Sequence, residues 1–133
     1  FNPSNLKFGE WGAALVALAG PFVNLLIAFV SFMAYAFIMP VSQSSTAIIL
    51  AALVTVNLGF FVFNMIPIPP LDGSRVLYAL APDFVRRGME AIEQYGIIFV
   101  FIIVLAASSL IGAFMLTAIN FFLSVFSHIF GLA

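Results

Sequence analysis

The chain has 133 residues, 65% of them hydrophobic and only 7% charged, with a net charge of −1. A soluble domain carries about 25% charged residues, so the composition excludes that class and marks a polytopic membrane protein. Four basic residues cannot build a surface that tracks phosphates, which excludes nucleic acid as a partner. With no cysteine there is neither a disulfide framework nor a cysteine-based metal site.

The chain opens on Phe1 rather than Met and lacks the pattern of a signal peptide. The expectation is a piece of a longer protein, cut on its N-terminal side. Residues 1–10 read as a polar lead-in, with turn chemistry in Asn2-Pro3-Ser4-Asn5 and the charges Lys7 and Glu10. Trp11 suits the membrane–water interface. A first span is predicted over about 11–39, long enough to cross with tilt. Ala13, Ala17, Gly20, Asn24 and Ala28 recur at helical spacing and form a small-residue face that would let a neighbouring helix come close. Pro21 is expected to kink this helix and free the carbonyl of Ala17. Asn24, one turn on, suits a hydrogen bond to a neighbouring helix, worth about 0.6–2 kcal/mol.

After a short uncharged turn at 40–45, a second span covers 46–66. Asn57 and Asn64 lie seven apart and share a face. Two amides on one face of a lipid-depth helix point toward protein or water. Three prolines then arrive within four positions, Pro67, Pro69 and Pro70. Each lacks an N–H, so a helix continued through them leaves the carbonyls of Phe63, Met65 and Ile66 without their usual partners. An orphan carbonyl in hydrocarbon costs several kcal/mol, so broken backbone here must be sheltered by protein or line a wet cavity. Into this break the chain places Asp72. An ionisable group between membrane segments costs about 2.5–3.5 kcal/mol at a helix centre and is a functional-site candidate. Asp before Gly73-Ser74 and a helical run is also a good N-cap. Spacing alone leaves both roles open, and they do not exclude each other.

A short helix over 74–80 ends at Ala81-Pro82, and Asp83 can cap a further helix to Gln94. In it Val85, Met89 and Ile92 form an apolar stripe, with Arg86, Arg87, Glu90 and Glu93 on the other side. Arg86 and Glu90 are an i, i+4 pair. The expectation is an amphipathic helix on the membrane surface with solvated charges. If the first two spans form a hairpin, Lys7, Arg75, Arg86 and Arg87 lie on one side, which the positive-inside rule makes cytoplasmic. A third span is predicted over about 95–112. The remainder, 113–130, carries a polar stripe of Thr117, Asn120, Ser124 and Ser127. It either spans with that stripe against protein or lies in the interface. His128 at its end suits an amphipathic anchor better than a metal ligand, because ligands must converge. The predicted fold class is all-α: one membrane domain over 1–133, a transmembrane bundle of three to four spans with one Pro-broken helix, continued after the break to 81, and one short surface helix.

The stretch Asn64-Met65-Ile66-Pro67-Ile68-Pro69-Pro70-Leu71-Asp72-Gly73 resembles the N-x-x-P-x-P-P-L-D-G signature of the site-2 protease family of intramembrane zinc metalloproteases. Gly20-Pro21-Phe22-Val23-Asn24 is similar to the family's G-P-x-x-N. The resemblance covers about 18–80; Ser74 stands where a second Gly is common, and the family's H-E-x-x-H is absent from this sequence. It implies that Asp72 is the third ligand of one zinc ion, completed by two His from outside the chain with a Glu as base. It implies that Asn64 contacts substrate backbone or the developing oxyanion, and that Asn24, Asn57, Pro67, Pro69, Pro70 and Gly73 line the site. The implied partners are membrane lipid, a transmembrane protein substrate and the missing N-terminal metal-binding helix. The implied location is a bacterial-type cell membrane, with the Lys7 and Arg86/Arg87 side cytoplasmic. On that resemblance the chain is part of an intramembrane zinc endopeptidase, inactive by itself. The alternative is a non-catalytic membrane protein, a pseudoprotease or assembly scaffold, with the same helices. A transporter fragment would need inverted internal symmetry, which the sequence lacks.

Overall fold

The structure is a computed structural model that describes residues 6–40, 44–69 and 71–132. Five helices follow one another: α1 (Leu6–Ile38), α2 (Ser45–Asn64), α3 (Asp72–Leu80), α4 (Asp83–Ala106) and α5 (Ser108–Ile129). There is no strand among the described residues, so the all-α expectation holds. By length and composition alone α1, α2, α4 and α5 could each cross a membrane, α4 only when both sides of its break at Gly96 are counted together.

α1 starts at Leu6, not at Trp11, and takes in residues expected to be lead-in. The turn expected at Asn2-Pro3-Ser4-Asn5 lies outside the described residues. The helix is continuous through Pro21, which is almost wholly buried. A proline inside a helix removes one hydrogen bond, and here the packing around the ring keeps the helix going. The inward face carries Ala14, Pro21, Ala28, Ser31 and Phe32. That face is rotated by one residue from the predicted small-residue stripe, leaving Ala13 and Gly20 exposed at its edge.

α2 turns Ala47, Val54, Asn57, Leu58 and Val62 inward. Ala28, Phe32, Val54, Leu58 and Phe126 form the buried centre, so α1, α2 and α5 share one core. Ala28 and Leu58 have no exposed surface. Phe29 and Phe126 meet edge to face at 5.4 Å, and Phe61 and Phe122 do so at 5.2 Å. Edge-to-face pairs put the positive ring edge on the negative ring face. On α5, Ile119, Phe122, Leu123, Phe126 and Phe130 face the core. Thr117, Asn120 and Ser124 point away from it. Of the polar stripe only Ser127 is half-buried; the other three members are exposed.

α4 consists of two helices joined at Gly96, whose φ of 59° and ψ of −141° are non-helical. The first part, 83–95, is the amphipathic helix predicted to lie on the surface. The second part, 97–106, rises only about 15 Å at 1.5 Å per residue, half of a lipid core about 30 Å thick. The predicted third span thus ends at Ala106, not Gly112. The break falls at Ala107, φ −112° and ψ 22°, next to the Ser108-Ser109 pair; Ser pairs are among the usual causes of sharp helix bends.

The charges of the surface helix are not a uniformly solvated face. Arg86 does not pair with Glu90. Its Nη2 lies 3.0 Å from Glu10 Oε2, with side-chain exposures of only 25% and 11%. The cause is tertiary: the start of α1 passes close enough for a fork-on-carboxylate pair, a stronger arrangement than a solvated i, i+4 contact. Glu90 instead accepts the Tyr78 hydroxyl at 2.7 Å. That bond, and secondarily partial burial, pushes the Tyr78 phenol above its usual range. Its contribution to stability is fully present below the usual phenol range and is lost as pH rises through the raised folded-state value.

Gly96 has a backbone geometry that a Cβ makes costly, about 1–3 kcal/mol. Gly96→Ala is expected to lower the thermal unfolding midpoint in detergent. Gly59→Ala, at a helical position with open space around it, is the control and should be neutral or stabilising. An unchanged midpoint for Gly96→Ala would rule out the elbow at 96.

Candidate metal centre

α2 ends at Asn64, two residues before the predicted boundary, because Pro67 cannot continue the ladder and also pushes Ile66 out of helical geometry. The break then satisfies much of its own backbone. The Ile66 N–H reaches the Phe63 carbonyl at 3.2 Å, and the Ile68 N–H reaches the Ile66 carbonyl at 2.9 Å. The Leu71 N–H donates to Ile68 at 2.9 Å and the Ser74 N–H to Leu71 at 3.0 Å. The Ser74 hydroxyl donates to the same Leu71 oxygen at 2.7 Å. Two of the three carbonyls expected to be orphaned, those of Phe63 and Ile66, are thus paired within the turn.

The third carbonyl, that of Met65, abuts Gly73. A Cβ at 73 would collide with the Met65 carbonyl and lie 2.9 Å from the Ile66 oxygen. Gly73 is therefore the position where the start of α3 is pressed onto the end of α2. This contact aims the first turn of α3, and with it Asp72.

Asp72 occupies that first turn, with Leu71 at the N-cap position and no side-chain cap bond. Of the two roles open to it, capping is not the one adopted. The carboxylate is half-buried and takes part in neither ion pair found among the described residues. Its Oδ2 lies 3.9 Å from where a side chain on Gly20 would begin. The G-P-x-x-N and L-D-G segments thus meet, with the bare backbone of Gly20 opposite the acid. Pro21 is buried behind it and Asn24 is half-buried one turn on.

The other predicted residues are placed as follows. Asn57 is buried and its amide donates to the Leu53 carbonyl at 2.8 Å. Asn64 is half-buried and donates to the Phe60 carbonyl at 2.9 Å. Each amide has two N–H groups and an acceptor oxygen, so one such bond leaves capacity for a ligand. Pro67 is exposed and Pro69 buried, while Pro70 lies outside the described residues. Pro69 joins Ser74, Arg75, Tyr78, Met89, Glu90 and Glu93 around a polar cavity of about 170 Å³, with Asp72 outside its lining. His128 is exposed, its Nδ1 2.8 Å from the Ser124 carbonyl of its own helix.

Asp72 offers zinc a hard oxygen donor of the right type. A catalytic zinc takes three protein ligands and one open position. Among the described residues no three His, Cys, Asp or Glu side chains converge. One carboxylate is not a site by itself, so a metal at Asp72 would need further ligands from outside the described residues.

Residues 39–108, just over half of the chain, match the family described as peptidase family M50. The chain belongs to that family. The expected kinship with the site-2 proteases therefore holds, and with its four long apolar helices the chain is a multi-pass membrane protein. It is also 36% identical over 110 residues to YwhC of Bacillus subtilis (strain 168), a protein provisionally named a zinc metalloprotease. That alignment covers 72% of this chain and 48% of YwhC, so the chain spans about half the length of the relative it matches. No solved structure matches the chain.

The part played by Glu10, Tyr78 and Arg86 was not legible from residue order, because a lone acid before an apolar run names no partner. Two glycine substitutions test the geometry. Gly73→Ala is expected to lose about 1–3 kcal/mol through overpacking, read as a lower unfolding midpoint. At 20 the response should be graded: Ala is tolerated, since 3.9 Å is ordinary contact, while Leu displaces the carboxylate and lowers zinc content in the intact protein. Equal zinc content for Gly20→Leu and Gly20→Ala would remove Gly20 from the site.

Proposed function

We propose that this chain is part of an intramembrane zinc metalloendopeptidase that cleaves transmembrane segments of protein substrates. In this reading Asp72 is one protein ligand of a single zinc ion, and the remaining ligands come from an H-E-x-x-H helix outside the chain. The observation that carries the proposal is the approach of Asp72 to Gly20. Two segments far apart in sequence converge on one half-buried carboxylate that no described basic group neutralises. An acid so placed in a membrane protein is expected to serve a site.

When bound, zinc polarises the scissile carbonyl and lowers the pKa of its water to about 7. The residues of this chain hold and orient. Gly73 and the proline run keep the Asp72 carboxylate from swinging. The Asn64 N–H left over from Phe60 donates to the substrate carbonyl oxygen as negative charge builds on it, an interaction whose removal costs about 2.7–4 kcal/mol in comparable sites. Asn24, half-buried near the acid, offers a polar edge to a substrate strand whose helix has been locally unwound. Such a strand has backbone groups that must find partners in a low-dielectric setting.

In the intact protein, Asp72→Ala should abolish zinc retention, measured by metal analysis, together with cleavage of a membrane-embedded substrate. Asn64→Ala should keep zinc but lower kcat by about 100-fold. Full zinc content in Asp72→Ala would sink the ligand role. Sidedness can be tested separately. Arg86 bonds Glu10, so the start of α1 and the basic surface helix share one end of the bundle, which the positive-inside rule assigns to the cytoplasm. A cysteine introduced by Arg87→Cys, in a parent chain cleared of other cysteines, should be labelled by an impermeant maleimide only from the cytoplasmic side. Labelling from outside would reverse the orientation.

A further inference from the structure

Arg86 is unusual among the charged residues of the chain in how much of its guanidinium is used. Nη1 lies 3.1 Å from Glu10 Oε1 and Nη2 3.0 Å from Glu10 Oε2, a two-pronged pair. The Nε–H donates to the Tyr78 carbonyl at 2.9 Å and Nη2 also donates to the Ala79 carbonyl at 3.3 Å. Its Cζ sits 5.2 Å from the centre of the Tyr78 ring. Tyr78 and Ala79 are in the last turn of α3, where carbonyls have no intrahelical partner. One side chain from the surface helix therefore caps the end of α3 and ties it to the start of α1.

The two tethers of α3 lie at opposite ends. At its start, Asp72 faces Gly20 of α1 and Gly73 is pressed on α2. At its finish, Arg86 links it to Glu10 of α1. α3 therefore runs antiparallel along the first half of α1. The seven helical steps from Asp72 to Ala79 span about 10 Å. Apolar contact between helices is non-directional and permits sliding, whereas a guanidinium fork on fixed carbonyls and a carboxylate defines one position. A misplacement of about 1 Å at a reacting centre can cost about 100-fold.

We infer that the Arg86–Glu10 latch sets the register of α3 along α1 and thereby positions the Asp72 carboxylate for metal binding; this rests on the ligand role proposed for Asp72. Arg86 and Glu10 are positioning residues that touch neither metal nor substrate. The Arg75–Glu93 pair, 3.4 Å apart with both side chains at least half exposed, also joins α3 to the surface helix but has no link to α1. It supplies the control.

The test uses the intact protein in detergent, with Arg86→Lys, Glu10→Gln and the control Glu93→Gln, and with Asp72→Ala in parallel. Lysine keeps the charge but has three donors on one nitrogen and no fork. Arg86→Lys and Glu10→Gln should each weaken zinc retention against a chelator by about 10-fold or more, the range seen for outer partners of metal ligands. They should lower kcat with little change in KM, and shift the visible absorption bands of the cobalt-substituted protein. The double variant should lose little beyond either single one. Glu93→Gln should match the wild type on all readouts. Wild-type zinc retention and cobalt bands in folded Arg86→Lys and Glu10→Gln would overturn the positioning role. Loss of folding in every latch variant would also overturn it, leaving the pair a stability element. If Asp72→Ala itself keeps zinc, the ligand role fails first; if it loses zinc while the latch variants do not, only the latch fails.

Discussion

Everything at the centre of this protein follows from backbone donors that are missing. Pro67 and Pro69 supply no N–H, so α2 cannot run on, and its last carbonyls need another arrangement in a place where water is scarce. The answer is a turn that pairs the Phe63 and Ile66 carbonyls internally and folds so tightly that α3 begins against the Met65 carbonyl. That closeness requires a residue without a side chain at 73. It also fixes the direction in which the neighbouring acid points. Sterics at Gly73 thus set how the chain enters α3.

A second layer holds the placement over distance. α3 has only nine residues, too few to be a stable helix by itself. Its order comes from packing on α1 and from donors brought by the surface helix. The same guanidinium that satisfies the carbonyls of Tyr78 and Ala79 is neutralised by Glu10, so the cost of partly burying a cation is offset by a partner and by hydrogen bonds. The aromatic core of α1, α2 and α5 lies elsewhere in the bundle. It sets the frame on which the break and the short helix are mounted.

Much of this was legible from residue order. Apolar run lengths gave the helices, because the bilayer demands a minimum length. The proline cluster located the break, because proline chemistry is local. The motif residues pointed to Asp72 and to the α1 segment it would meet. What could not be read were features decided by distant neighbours. Helix phase on α1 is off by one residue, because Pro21 and Ala14, not Gly20 and Ala13, pack deepest. Arg86 looked like a solvated charge, because its partner Glu10 comes from the far end of the sequence. The cap role for Asp72 depended on which residue begins α3, and Leu71 takes that place.

The adjoining positions 72 and 73 answer to different pressures. Glycine is demanded at 73 by the shape of the chain whether or not any reaction occurs. No packing contact demands an acid at 72, where a neutral side chain would fit the half-buried space at lower electrostatic cost. The two adjoining letters thus separate what the shape of the chain requires, a residue without a side chain, from what only a site would require, a charge.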